Sequence, residues 1–176
     1  LHVAMGMGPE RLAVQDASQP DTAIAQIQQY INVYKLLYPA TDSSHPLDII
    51  VAFPNGTTNL AGVSKIVSYF KDTIKYWEGR NEPNYQYSGA DFVTQELAPF
   101  YQTVKAVSPS LQVIGPAVVT IGPYGLQWLD GFCAAGGGKY LDAFSFHAYN
   151  NVNGDLALLR ESLDALKQLL AKYQLT

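Results

Sequence analysis

The sequence has one cysteine, Cys133, in 176 residues. No internal disulfide can form, and no Cys/His spacing suggests zinc, so neither staples nor a metal site is expected. Charge is sparse as well: 11 Lys and Arg face 15 Asp and Glu, for a formal net charge of −4. There is no basic stripe, which argues against a nucleic-acid partner. No apolar run approaches the roughly 18 residues that a membrane span needs, so no membrane partner is expected. No Gly-x-Gly-x-x-Gly follows a strand-like segment, and no phosphate loop ends in Gly-Lys-Ser/Thr. Internal repeats and low-complexity linkers are missing too. Leu1 to Gly8 carries neither the basic stretch nor the cleavage site of a signal peptide. The chain opens on Leu rather than Met, which raises the expectation of further sequence upstream.

What is present suits one folded domain over residues 1–176: 48% of the residues are hydrophobic and 15% charged. Aromatics make up 12%, and 12 of them are tyrosines. Such rings combine an apolar face with a polar handle, as sugar-binding clefts require and ordinary cores also use. Asn55-Gly56-Thr57 is a glycosylation acceptor pattern. It tips the expected compartment towards secreted or periplasmic.

Strand-like and helix-like stretches alternate. Thr22 to Tyr38 has helical spacing (Ile24, Ile27, Ile31, Tyr34, Leu37), with Asp21 as N-cap. Leu47 to Phe53 is a short apolar run closed by Pro54-Asn55-Gly56, hence a buried strand. Leu60 to Ile74 is helical again, and Lys75 to Gly79 strand-like. Asp91 to Val107 predicts a helix that Pro99 should break or restart. Leu111 to Gly115 predicts a strand stopped by Gly115-Pro116, and Gly125 to Ala135 a helix ended by Gly136-Gly137-Gly138. Leu141 to Phe146 is the next strand. Asp155 to Tyr173 is the clearest helix, with Leu156, Leu159, Leu163, Leu166, Leu170 and Tyr173. A fifth strand is expected in Leu1 to Met5. This alternation implies an α/β fold with a parallel sheet and outer helices. A doubly wound sheet and a (β/α)₈ TIM barrel both fit it.

In a barrel, chemistry gathers at the C-terminal ends of strands. The third strand runs into Gly79-Arg80-Asn81-Glu82-Pro83-Asn84, which delivers a carboxylate beside an amide and a proline. The last predicted strand runs into Ser145-Phe146-His147-Ala148-Tyr149. Alternation puts Ser145, His147 and Tyr149 on one face and Phe144, Phe146 and Ala148 on the other. Taken singly, each residue has a plain reading: a loop glutamate, a turn asparagine, a core histidine, a packed tyrosine. Glu78 and Arg80 read as an ion pair on one strand face, with an acidic sugar as another partner for Arg80. Trp77, Trp128, His2, His45 and Cys133 read as structural or incidental.

Asn81-Glu82-Pro83 at one strand end, with His147-x-Tyr149 two units later, resembles clan A of the glycoside hydrolases. Together with Leu111 to Ala117 and Leu141 to His147, the pattern is most similar to glycoside hydrolase family 39 and its unclassified relatives. The likeness covers about Tyr76 to Asn150. It implies a (β/α)₈ barrel, present here from about strand two or three to strand six, with a carbohydrate substrate and no cofactor. Glu82 then matches the general acid/base on barrel strand four, and Asn81 the amide that binds the sugar 2-hydroxyl. His147 and Tyr149 match the strand-six pair that lines the −1 subsite. The mechanism implied is retaining double displacement on β-linked glycans, xylosides and uronides among them. Its nucleophile, a strand-seven Glu, is expected beyond Thr176, which would leave residues 1–176 inactive alone. The strand-two arginine of the clan is not apparent near Leu1 to Gly8. Other readings are a non-catalytic glycan-binding module on a hydrolase scaffold, or a doubly wound domain with another ligand.

Overall fold

The computed structural model describes residues 10–14, 16–37, 47–149 and 155–175. Its sheet has five parallel strands in the order β1-β2-β3-β4-β5: Glu10–Ala13, Leu47–Ala52, Ile74–Glu78, Gln112–Val118 and Ala143–Phe146. A doubly wound sheet reverses its order at a switch point. Here each strand adds beside the one before it, and right-handed crossovers then set the helices on one side. That winding is compatible with an arc of a (β/α) barrel.

The helices are α1 (Pro20–Leu37), α2 (Leu60–Phe70), α3 (Gly89–Phe92), α4 (Ala98–Val107), α5 (Pro123–Ala134) and α6 (Leu156–Lys172). Each has a local cause. Asn59 caps α2 by accepting from Gly62 N at 3.0 Å, and Val63, Ile66, Val67 and Phe70 form its buried stripe. Asp155 caps α6 by accepting from Ala157 N and Leu158 N at 2.9 and 3.1 Å. Gly136, at φ 80°, turns the chain out of α5. Helix α1 begins at Pro20, so Asp21 lies in its first turn rather than capping it, and pairs with Lys65. The stripe of α6 holds from Leu159 onward, but Leu156 in its first turn is exposed.

Pro99 does not end the helix in the 89–107 stretch but restarts it, as expected: α4 begins at Ala98 with Pro99 in its first turn. Proline has no N–H for the carbonyl one turn back. The helix absorbs this with one wider π-helical turn, Val93–Leu97, in which Ala98 N–H reaches back to Val93 O. Nor does Gly115-Pro116 stop β4. The peptide bond is cis, the register with β5 shifts between Pro116 and Val118, and pairing resumes at Val118–Phe146. The expected strand at Leu1 to Met5 lies outside the described residues; the strand before α1 is Glu10–Ala13.

The sheet's two faces divide the labour. Ile49, Val51, Trp77 and Val113 join the helices in one core, where Trp77 stacks on Phe53 and Phe53 meets Phe100 edge-on. Trp128 is buried against Phe132 and donates Nε1–H to Tyr87 O. Cys133 is buried there too, and burial pushes its thiol up to about 11. Lys172 and Tyr173 bond Asp130, tying α6 to α5 and holding that carboxyl below the usual range. The opposite face carries Arg11, Glu78 and Ser145.

Candidate active site

Three backbone bonds shape the loop after β3. Phe53 N donates to Glu78 O, Asn81 N to Pro54 O (3.3 Å) and Glu82 N to Ala117 O (3.1 Å). The loop is thus pinned to the strand ends on both sides. Glu82 then precedes Pro83, the first residue of a short 3₁₀ turn, Pro83–Tyr85, with φ 48° and ψ 53°. That is left-handed backbone, costly for a residue with a Cβ by about 1–3 kcal/mol. Ala117, whose carbonyl receives Glu82 N–H, is also left-handed, at φ 52°. Such strain survives only where neighbours over-determine it, and it clusters at working sites. Glycine adopts this φ without penalty but loses more entropy on folding. Glu82→Gly is therefore expected to be more stable than Glu82→Ala by about 0.5–1 kcal/mol, read from urea midpoints at constant slope. Equal midpoints would mean that the strain is absent.

The Glu82 side chain meets His147. Strand β5 ends at Phe146, and His147 N donates to Val118 O at 2.8 Å, which fixes the backbone. His147 Nδ1 then lies 2.7 Å from Glu82 Oε1, with both side chains about one-fifth exposed. With Glu82 ionised, Nδ1–H donates to the carboxylate. Among the described residues, the other carboxyl oxygen has no hydrogen-bond partner. Tyr149 is 59% exposed and lies against the His147 ring, centroids 5.1 Å apart, rather than against Glu82. Asn81 turns the other way, its Oδ1 accepting from Arg11 Nη2 at 3.0 Å. So Glu82, His147 and Tyr149 form a row towards β5, and Asn81 faces β1.

Arg11, on β1, is a neighbour of the site that sequence reasoning missed. The signal was the short run Glu10-Arg11-Leu12-Ala13. Arg11 also pairs through Nε with Glu78, a carboxylate only 3% exposed, whose other oxygen accepts from Ser145 Oγ at 2.7 Å. The expected Glu78–Arg80 pair therefore does not form. Arg80 leaves the sheet face for Glu96 on the π-helical turn, Nη2 to Oε1 at 2.7 Å. Burial opposes the charge on Arg80, but the bond and charge of Glu96 more than offset it and raise its pKa. Its Nη1 donates to Gln86 Oε1 at 2.9 Å, and the side chain is 11% exposed.

No group of three or more His, Cys, Asp or Glu among the described residues is arranged to hold a metal ion. The arrangement can move one proton: a carboxyl at a strand-end mouth, one oxygen held by an imidazole and the other, among the described residues, without a hydrogen-bond partner.

Fold and site together define an α/β protein with a parallel five-stranded sheet and a Glu82–His147 pair at the C-terminal ends of its strands. The chain belongs to the glycosyl hydrolase catalytic core family, whose model matches residues 53–172. That stretch holds Asn81, Glu82, His147 and Tyr149 and excludes Arg11. A solved glucosidase from Croceicoccus marinus shares the fold with a TM-score of 0.52 at 18% identity. The match takes in 95% of this chain and 41% of that one, so this chain spans less than half of the solved enzyme's length. A search of the curated proteins finds no match.

Proposed function

We propose that this chain carries the proton-donor side of a retaining glycoside hydrolase site, with Glu82 as general acid/base. The observation that carries the reading is the Glu82–His147 contact at the strand mouth, 2.7 Å long, in a chain of this family. If β3 is barrel strand four, β1 to β5 are strands two to six.

In the first step Glu82 gives its proton to the glycosidic oxygen as the bond to the anomeric carbon breaks. A second carboxylate, about 5–5.5 Å away in retaining enzymes, attacks that carbon. In the second step Glu82 takes a proton from water, whose oxygen displaces the enzyme carboxylate. The His147 bond suits both steps: it steadies the anion left once the proton has gone, and leaves one oxygen for the substrate. Asn81, oriented by Arg11, is the proposed donor to the sugar 2-hydroxyl, and Tyr149 a wall of the −1 subsite. The substrate proposed is a β-linked glycan or glycoside.

The second carboxylate is proposed to come from outside the described residues. Inside them, Glu78 is bound to Arg11 and Ser145, Glu96 to Arg80, Asp142 to Lys105 and Asp130 to Lys172. Residues 1–176 alone are proposed to turn over no glycoside.

The test uses the natural full-length protein on aryl β-glycosides and β-glycans, with the first-formed anomer read by proton NMR. Retention of configuration, abolished in Glu82→Ala, is expected. Parental turnover of β-glycans, whose leaving groups need a proton, in Glu82→Ala overturns the assignment. Glycan binding without turnover favours the alternative, a binding module on a hydrolase scaffold.

A further inference from the structure

Arg80 and Glu96 form a buried pair with an unusual placement. The Glu96 side chain is 1% exposed and that of Arg80 11%. Arg80 Nε donates to Glu96 Oε1 at 2.8 Å, and the Tyr87 hydroxyl donates to the same oxygen at 2.8 Å. Arg80 Nη1 donates to Gln86 Oε1 at 2.9 Å, and its Cζ lies 5.4 Å from the centre of the Tyr87 ring. Arg80 comes just before Asn81-Glu82, whereas Gln86 and Tyr87 come just after the Pro83–Tyr85 turn. One guanidinium thus ties together both ends of the loop in which Glu82 is held left-handed. Glu96, on the π-helical turn, anchors that guanidinium to the helix layer. Gly56 covers it from the loop after β2, where a Cβ would sit 2.2 Å from Arg80 Nη2.

Stability alone does not account for this pair. Desolvating two charges is expensive, and apolar residues of similar volume often replace such pairs without loss. Glu96 Oε2 adds to the cost, since it is buried and, among the described residues, has no hydrogen-bond partner. What the pair supplies, and an apolar pair does not, is direction: a planar donor fork holds its acceptors in one geometry. We propose that Arg80 and Glu96 are positioning residues that hold the Glu82 carboxyl on His147 and in line with the leaving group. The inference rests on Glu82 being the acid/base.

The test is the Arg80→Met/Glu96→Leu double variant of the natural full-length protein, which leaves no lone buried charge. It is expected to fold, with a denaturation midpoint near that of the parent. Its kcat should fall about 10–100-fold on substrates with poor leaving groups, the scale of a 1 Å misplacement. KM should stay within about threefold, as for an interaction made in the transition state. Glycosylation by an activated aryl glycoside, which needs no proton, should change less than about threefold. Equal loss on both substrate classes, or no loss in a folded variant, overturns the proposal. A second readout needs no turnover: the His147 ring nitrogen signals at fixed pH. They should move in the double variant as they do in Glu82→Ala, which removes the contact. If the parent protein hydrolyses nothing yet these signals move, the hydrolase reading falls and the positioning role stands. Unchanged signals sink the positioning role whatever the activity. Should the double variant not fold, Arg80→Lys decides by the same readouts, since it keeps the charge and loses the fork. Parental kcat and parental His147 signals in that variant would overturn the proposal.

Discussion

Glu82→Gln in the natural full-length protein is expected to slow the first chemical step on alkyl and sugar leaving groups by about 10²–10⁴-fold. That range is about 3–5 kcal/mol of transition-state stabilisation. Glutamine keeps the shape and an oxygen for His147 Nδ1–H, so the 2.7 Å contact can persist. What disappears is the proton. A dinitrophenyl leaving group departs without one, so the same step on a dinitrophenyl glycoside should be nearly unchanged. The second step loses its base and becomes limiting, so dinitrophenol should appear as a burst followed by slow turnover. Rapid-mixing measurements on both substrate classes separate the steps. Equal slowing of the first step on both would remove the acid role from Glu82 and leave it a structural carboxylate.

The parts of this site that could be read in advance are those fixed by local pattern. A strand end is visible in a short sequence window, so Glu82 and His147 could be placed at one mouth before their contact was known. Strand alternation likewise put Ser145 and His147 on one face, and both reach residues of the β3 segment. What could not be read is set by pairing across the chain. Arg80 sits two residues from Glu78 in sequence, but its partner is Glu96, on the π-helical turn sixteen residues on. Arg11 meets Glu78 and Asn81 across 67 and 70 residues, and no local window holds that contact. Proline acts twice for one reason: at Pro99 the helix restarts as expected, and at Pro116 the strand continues where a stop was expected. Its missing N–H forbids a regular ladder bond, yet a π-helical turn at Val93–Leu97 and a register shift after Pro116 each absorb the loss. The helix stripes of α2 and α6 were legible because burial follows a 3.6-residue period. Their ends moved by a few residues where capping, not periodicity, decides.

Arg11→Met is expected to lower stability by about 2–3 kcal/mol, more than its position on a half-open strand would suggest. The argument begins at Glu78, which is 3% exposed on the face opposite Trp77. Its charge is met by Arg11 on one oxygen and by the Ser145 hydroxyl on the other. Methionine keeps the apolar stem of Arg11 and removes its cation, so Glu78 is left with one neutral donor. Removing one partner of a buried pair costs about 3–5 kcal/mol. The Arg11 side chain is 35% exposed, so solvent screens part of the interaction and the lower figure applies. Against a total of about 5–15 kcal/mol for a domain, that is a large share. The diagnostic comparison is Arg11→Met/Glu78→Gln. If the cost lies in the lone carboxylate, the double variant should recover at least half of the loss, because a neutral amide needs no cation. Asn81 should not recover, since its bond from Arg11 is missing in both variants. On the proposed reading both then bind substrate or transition state more weakly, whatever their stability. Urea denaturation at constant slope gives the cycle, and kcat/KM read beside it separates the two effects. A single variant within about 0.5 kcal/mol of the parent would mean that Glu78 is better solvated than its burial implies.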